Sequence, residues 1–270
     1  LPPAAISQQM RHLEVSWELE LFDRTLRTPK FTSTGLALVT EAESVVSAYD
    51  NLADKVKSNN EMSGELILGA VPTTLTGLVP LALSQLEKIH PDIRVRILPS
   101  LTTQLLLQID RGQIDAAIIS KPDVLPQSIV FTELATERMV ILVANTTKNL
   151  TPKDLLKSHP FIRFNRDAVV GRLIETWLQK NGIFVKDAME LEGLEAISSM
   201  VAAGLGISIV PQRCIAETDH LPLKMIQLGD NGPQRVLGLD RRADTPKTKL
   251  ILGTEAALLK AVSIGQFRPK

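Results

Sequence analysis

Beyond residue 65 the chain repeats one pattern: a short apolar run, a stretch of helical period, then another apolar run. Runs at 66–71, 93–98 and 115–120 read as strands. Between them 75–89 and 102–111 read as helices, the first stopped by His90-Pro91. Strand-like segments follow at 129–134 and 138–143. A second round sets strands at 161–164, 186–190 and 207–210 around helices at 167–181 and 194–204. Strands near 223–228 and 234–240 and a closing helix over 247–264 complete it. Strands alternating with helices specify an α/β fold, here expected as parallel sheet with right-handed crossovers. Two similar rounds in one chain predict a hinged, two-lobe ligand-binding domain over 65–270.

A content of 44% hydrophobic and 22% charged residues supports a buried core and excludes a disordered chain. The length, 270 residues, suits about two domains. A formal net charge of zero argues against a surface basic all over, but not against a local DNA contact. Across 1–60 the acids outnumber the bases, so charge alone does not point to DNA. Cys214 is the single cysteine, which rules out a disulfide framework and a cysteine metal site and fits a reduced, cytoplasmic setting. No apolar run reaches the roughly 18 residues of a membrane span.

Before residue 65 the pattern is different. Ile6, Met10, Leu13, Trp17 and Leu21 recur every three or four residues, as one apolar stripe on a helix. Gln8 and Arg11 fall on the opposite face, with Ser7 at its flank; such side chains near a helix start can reach base edges in a major groove. Leu21-Phe22-Asp23-Arg24 and a basic turn, Arg27-Thr28-Pro29-Lys30, lead to a new helix at Thr32 or Ser33. Helix, basic loop, helix is the layout of a winged helix-turn-helix. A long helix then covers 35–59 without proline or internal glycine. Its Val39, Ala42, Val46, Tyr49, Ala53 and Val56 keep near-heptad spacing, which reads as a dimer seam or as a face packed on its own domain. The polar run 58–64 is the best domain boundary.

These residues resemble the LysR-type transcriptional regulators. That family carries a recognition helix of the form P-A-[VI]-S-x-Q-I-x-x-L-E, then L-F-x-R-T, a wing and L-T-x-x-G-x-x-L. Here the matches are Ala5-Ile6-Ser7-Gln8-Gln9-Met10, Leu13-Glu14, Leu21-Phe22-Asp23-Arg24-Thr25 and Phe31-Thr32 through Gly35 to Leu38. Further on, Leu78-Val79-Pro80, His90-Pro91-Asp92-Ile93, the run from Gly112 to Ile118 and the run from Val201 to Pro211 stand in the expected order. Ala4 replaces a frequent proline, and Trp17-Glu18 replaces the usual Leu-Gly at the helix end, where a bend is needed. The family also begins about one and a half helices earlier. The head is therefore expected to lack its first helix, as a fragment or truncation would, and to bind DNA poorly.

The resemblance implies a partial winged helix-turn-helix DNA-binding domain over 1–34, a dimerising linker helix over 35–60 and a two-lobe, periplasmic-binding-protein-like effector domain over 65–270. Lobe I takes about 65–137 and 241–265, and lobe II about 138–240. DNA contacts then fall to Ser7, Gln8 and Arg11 on the helix and to Arg27 and Lys30 on the wing. Homodimers or homotetramers are expected.

Ligands in open α/β sheets bind beyond the carboxyl ends of the strands. The residues there are Thr73 and Thr74 after the first strand, Ser100 and Thr102 after the second, and Ser120 after the third. In the second lobe they are Phe164 and Asn165, and Gly193. Hydroxyls and free N–H groups at helix starts make an anion site, although Thr73, Ser100 and Thr102 read equally well one by one as ordinary N-caps. Lys121 and Arg166 lie close enough in sequence to neutralise a carboxylate or to be solvated surface. The expected effector is a small, anionic organic acid.

No G-x-S-x-G, Walker loop or H-E-x-x-H occurs, and the four histidines lack ligand spacing, so neither an enzyme nor a metal or other cofactor is expected. A transport solute-binding protein shares the two-lobe architecture but has no use for residues 4–60. A deaminase-like enzyme of similar fold lacks its cofactor-bearing cysteine. The favoured reading is a DNA-binding transcriptional regulator controlled by a small molecule.

Overall fold

The structure is a computed structural model that describes residues 3–25, 28–39, 41–42, 45–46, 49, 63–148, 150–212 and 221–265. The chain divides into two compact units, Leu1–Val56 and Lys57–Lys270. Arg27, the seam positions Ala53 and Val56, and Cys214 lie outside the described residues.

The first unit holds helix α1 (Pro3–Trp17), strands β1 (Phe22–Asp23) and β2 (Lys30–Phe31), and helix α2 at 33–39. The apolar stripe ends one turn sooner than its spacing suggests. Glu18 adopts a positive φ of 54° and closes α1, so Leu21 belongs to the turn beyond it and is buried there. The Leu19 N–H donates to the Glu14 carbonyl at 3.0 Å and the Glu18 N–H to the Val15 carbonyl at 3.4 Å, the paired bonds of a Schellman ending. The bend thus forms without the usual glycine.

The Glu14 carboxylate organises the turn between α1 and β1. It accepts from the Leu21 N–H at 2.9 Å, from the Phe22 N–H at 3.1 Å and from the Arg24 guanidinium. The bond from Arg24, aided by those two N–H groups, holds its pKa below the ordinary carboxylate value against some desolvation. Thr32 caps α2: its hydroxyl donates to the Glu20 carbonyl at 2.7 Å and accepts from the Gly35 N–H at 2.9 Å. At Gly35 a Cβ would come 2.2 Å from the Leu21 carbonyl oxygen, so only glycine lets α2 cross there. Val39, Val46 and Tyr49 are exposed in the single chain.

The second unit is built on a seven-stranded sheet in the order β10, β6, β11, β5, β3, β4, with β9 also paired to β6. Its strands are β3 (Gly64–Ala70), β4 (Ile93–Pro99), β5 (Ala116–Ser120), β6 (Ile129–Ala144), β9 (Ser208–Pro211), β10 (Leu223–Gln227) and β11 (Gln234–Arg242). A separate parallel pair joins β7 (Pro160–Phe164) to β8 (Lys186–Leu191). The sheet is mixed rather than parallel throughout. Only β4, β3 and β5 run parallel to one another in it, while β5–β11, β11–β6, β6–β10 and β6–β9 are antiparallel.

The apolar strands are covered by helices. In the first half α3 (Leu78–Ile89) and α8 (Thr248–Ile264) pack on one face of the sheet around Leu66, Leu68, Ile118, Leu237 and Ile251. On the other face α4 (Thr102–Asp110) packs Leu105 and Ile109 against Ala117 and Ile119. In the second half α5 (Pro152–Ser158), α6 (Val169–Lys180) and α7 (Leu194–Ala202) enclose Ile141, Phe161, Ile162 and Ile209. Gly204 takes φ 77° to end α7, whereas Gly206 is needed for space, since a Cβ there would meet the Pro160 carbonyl oxygen at 2.6 Å.

The two segments expected at 129–134 and 138–143 form one strand of 16 residues. Glu137 and Arg138 interrupt the apolar run in sequence, but Glu137 finds a cationic partner on β11 and the strand continues through it. β6 and β11 therefore pass through both halves. A register shift at Leu237/Gly238 marks where they cross.

Candidate functional site

Between the two halves lies a cleft at the carboxyl ends of the parallel strands. The first half lines it with Val71, Pro72 and Thr73 after β3, Leu101 and Thr102 at the start of α4, and Ser120 at the end of β5. The second half supplies Phe164 at the end of β7, Ala168, Val169 and Val170 at the start of α6, and Glu192 after β8. Arg235, on β11, closes it from below. The cleft is partly open to solvent, with about 20 Å³ of space for a water-sized group between its walls.

Arg235 is 1% exposed and Glu137 6% exposed in side chain. Arg235 Nε donates to Glu137 Oε2 at 2.6 Å, and Nη2 reaches the same oxygen at 2.5 Å. Nη1 donates to Thr73 Oγ1 at 2.7 Å and to Ser120 Oγ at 3.3 Å. The guanidinium is thus neutralised by one buried carboxylate and tied to both strand ends that face the cleft. A buried charge left without its partner costs about 3–5 kcal/mol, so neither residue is dispensable alone.

Two helices begin at this cavity, one from each half. Leu101 and Ala168 are their N-caps, and neither side chain makes a capping bond; neither first turn carries an acid. The first N–H groups of a helix have no intrahelical acceptor and sit at the positive end of its dipole. Both ends suit a ligand oxygen.

The expected residues separate here. Thr73, Thr102, Ser120 and Phe164 all line the cavity. Thr74 is buried beside it, with its hydroxyl donating to the Val71 carbonyl at 2.8 Å. The Ser100 hydroxyl bonds to the Gln104 side chain, the Asn165 carboxamide accepts from the Asp167 N–H at 2.8 Å, and Gly193 is the N-cap of α7. These four side chains or positions satisfy local structure and stay outside the lining. The capping reading of Thr102 does not hold either, because it is the first residue of α4, after its cap. Lys121 lies over the Phe131 ring at 5.3 Å, and Arg166 pairs with Asp187 and Glu190, so neither turns into the cleft. In the first unit Ser7, Gln8 and Arg11 are exposed on α1, and Lys30 is exposed on β2.

Arg235 and Glu137 went unnoticed in the sequence. β6 carries Glu133, Glu137 and Arg138 and β11 carries Arg235, Asp240, Arg241 and Arg242, so a charge within a strand does not by itself single out this pair.

A family model described as the LysR substrate binding domain matches residues 59–260. The chain belongs to the LysR family. Among curated relatives, the HTH-type transcriptional regulator CzcR of Bacillus anthracis is 28% identical over 210 residues, covering 78% of this chain and 71% of that one. Among solved structures, a cysteine-to-aspartate variant of full-length OxyR from Pseudomonas aeruginosa superposes with a TM-score of 0.71 at 20% identity, over 95% of this chain and 88% of that one. The effector binding domain of QuiR in complex with shikimate gives 0.64 at 21% identity, over 75% and 98%. The two structures show the shared fold. This LysR-type chain is a transcriptional regulator with an effector-binding domain, and not a transport solute-binding protein. Among its described residues no helix is long and apolar enough to cross a membrane.

Proposed function

We propose that this regulator is controlled by a small organic acid bound in the cleft between the two halves of its effector domain, and that it acts on promoter DNA in the cytoplasm. One observation carries the reading. Two uncapped helix starts, from opposite halves, meet three hydroxyls, Thr73, Thr102 and Ser120, around one cavity. Every one of these groups can donate to a ligand oxygen. QuiR, of the same fold, is described with shikimate, itself a carboxylate.

The cleft is partly open to solvent and lies between the halves, so an organic acid seated in it touches both and favours one arrangement of them. A ligand shifts a conformational equilibrium only by its differential affinity for the two states. That arrangement is carried through the crossing strands β6 and β11 and resets the spacing of subunits paired through the 35–60 helix. DNA is read by Ser7, Gln8 and Arg11, with Arg27 and Lys30 of the wing at phosphates or in the minor groove. A disulfide switch within these 270 residues is ruled out by their single cysteine.

The test is a thermal-shift screen of the full chain against small mono- and dicarboxylates, repeated with Thr102→Val. A saturable stabilisation that Thr102→Val removes is the expected result. Stabilisation by carboxylates that is indifferent to Thr102→Val would place the ligand elsewhere.

A further inference from the structure

We infer that Glu137 and Arg235 are positioning residues that bias the hydrogen-bond polarity around Thr73 and Ser120, so that an oxygen bearing no proton is favoured there over a donor. Like the proposed function, this depends on the cleft being the effector site.

A hydroxyl has one proton and two lone pairs. Arg235 Nη1 places a proton on Thr73 Oγ1 and another on Ser120 Oγ. One lone pair of each hydroxyl is thus engaged, and neither O–H donates to any described protein acceptor, so a ligand acceptor satisfies that O–H whereas a ligand donor in the same place leaves it unpaired. Ser120 is 2% exposed, so its proton can be used only inside the cleft. Glu137 sets this orientation from behind. It engages Nε and Nη2, which leaves Nη1 to the two hydroxyls. It also cancels the guanidinium charge, so Arg235 acts here through its donor pattern rather than as a free cation. A lysine at 235 would keep the charge but lacks the planar fork that serves a carboxylate and two hydroxyls at once.

Formate and formamide test this. They have nearly the same shape, and formamide exchanges one acceptor oxygen for an amide donor. Binding to the full chain is read by saturation transfer to the C–H proton that each probe carries. The wild type is expected to favour formate by about tenfold or more, as sites built around directed hydrogen bonds do. Arg235→Lys should bring the ratio near one while keeping the charge. Thr73→Val combined with Ser120→Ala leaves the ion pair in place and should weaken formate by about tenfold. This variant also carries the test if Arg235→Lys fails to fold. Ala168→Leu fills the cavity and should abolish formate binding. If Ala168→Leu abolishes binding but the formate preference survives both polar variants, the cleft is the ligand site and the polarity inference is overturned. Should formate bind Ala168→Leu as it binds the wild type, the effector-site reading falls and takes this inference with it.

Discussion

Arg235 and Glu137 are directly opposed on β11 and β6, and both Nε and Nη2 of the arginine converge on one carboxylate oxygen at 2.6 and 2.5 Å. They stand on the two strands that cross between the halves, two residues from the register shift at Leu237. Arg235 thus lines the cleft while the pair stands on the strands shared by the two halves. Anything that moves these strands past each other moves the donors that face the cleft.

Breaking the pair on one side should be costly and breaking it on both sides much less so. Arg235→Met leaves Glu137 buried and unpaired, at about 3–5 kcal/mol, whereas Arg235→Met with Glu137→Leu removes both charges from the interior. Urea denaturation of the wild type and both variants, with Glu137→Leu alone as the fourth protein, measures this. Additive losses in the double variant would mean that the residues act independently of each other.

The end of α1 offers a gain. Glu18 holds a left-handed conformation at φ 54°, the only non-glycine to do so among the described residues. Glycine adopts that region without the Cβ clash, so Glu18→Gly should stabilise the first unit by about 1 kcal/mol. Its side chain makes none of the capping bonds, which come from backbone groups. A lower thermal midpoint for Glu18→Gly would show that the strain is not there to be relieved.

Much of this architecture was legible because burial writes itself into the sequence. β3 and β5 are apolar runs, and α6 shows its stripe at Val170, Ile174 and Leu178. The start of the second helix was readable as Thr32 or Ser33, and the structure makes Thr32 its cap and Gly35 a point of close approach. The features that stayed hidden depended on partners far away in the chain. Glu137 and Arg138 looked like a break in a strand, because the arginine that neutralises Glu137 lies 98 positions later. For the same reason Arg235 looked like an ordinary strand charge. Short α5 went unplaced although Thr151-Pro152 followed by Asp154 is a helix start, with the Asp154 N–H bonded to the Thr151 hydroxyl. Strand ends located the cleft, but could not say which hydroxyls there were already occupied. Thr74 and Ser100 look like Thr73 in sequence and differ only in what lies beside them.

Stability should depend on pH through Asp240. Its carboxyl is fully buried on β11, neither oxygen has a hydrogen-bond partner among the described residues, and burial pushes its pKa from 3.8 up to about 7. The folded state then holds the proton over a range where the unfolded chain has released it. Folding is favoured below about pH 4 relative to the charged form, and this contribution is lost as pH rises from about 4 to about 7, then stays level. Asp240→Asn removes the titration. Denaturation at pH 5 and pH 8 should show the wild type losing on the order of 1 kcal/mol or more relative to Asp240→Asn. Parallel profiles for the two proteins would mean that the carboxyl is not desolvated as its burial implies.

The DNA head should separate reading from holding. Gln8 is exposed on α1 one position from Ser7, and an amide can pair with an adenine edge through both its oxygen and its nitrogen. Gln8→Ala should cost about 1–3 kcal/mol at one base pair and relax the preference there, leaving other positions untouched. Lys30 is exposed on β2, paired in register with Asp23 beside the Phe22–Phe31 ring contact, which places it on the two-strand wing. A lysine in that position fits a phosphate, which carries no sequence information. Lys30→Ala should therefore weaken operator and scrambled duplex alike and lower the salt slope by about one unit. Fluorescence anisotropy over a salt series, with operator and scrambled duplexes, distinguishes the two roles. If Gln8→Ala instead weakened both duplexes equally and changed the salt slope, α1 would be holding the backbone, and the assignment of base reading to this face would be wrong.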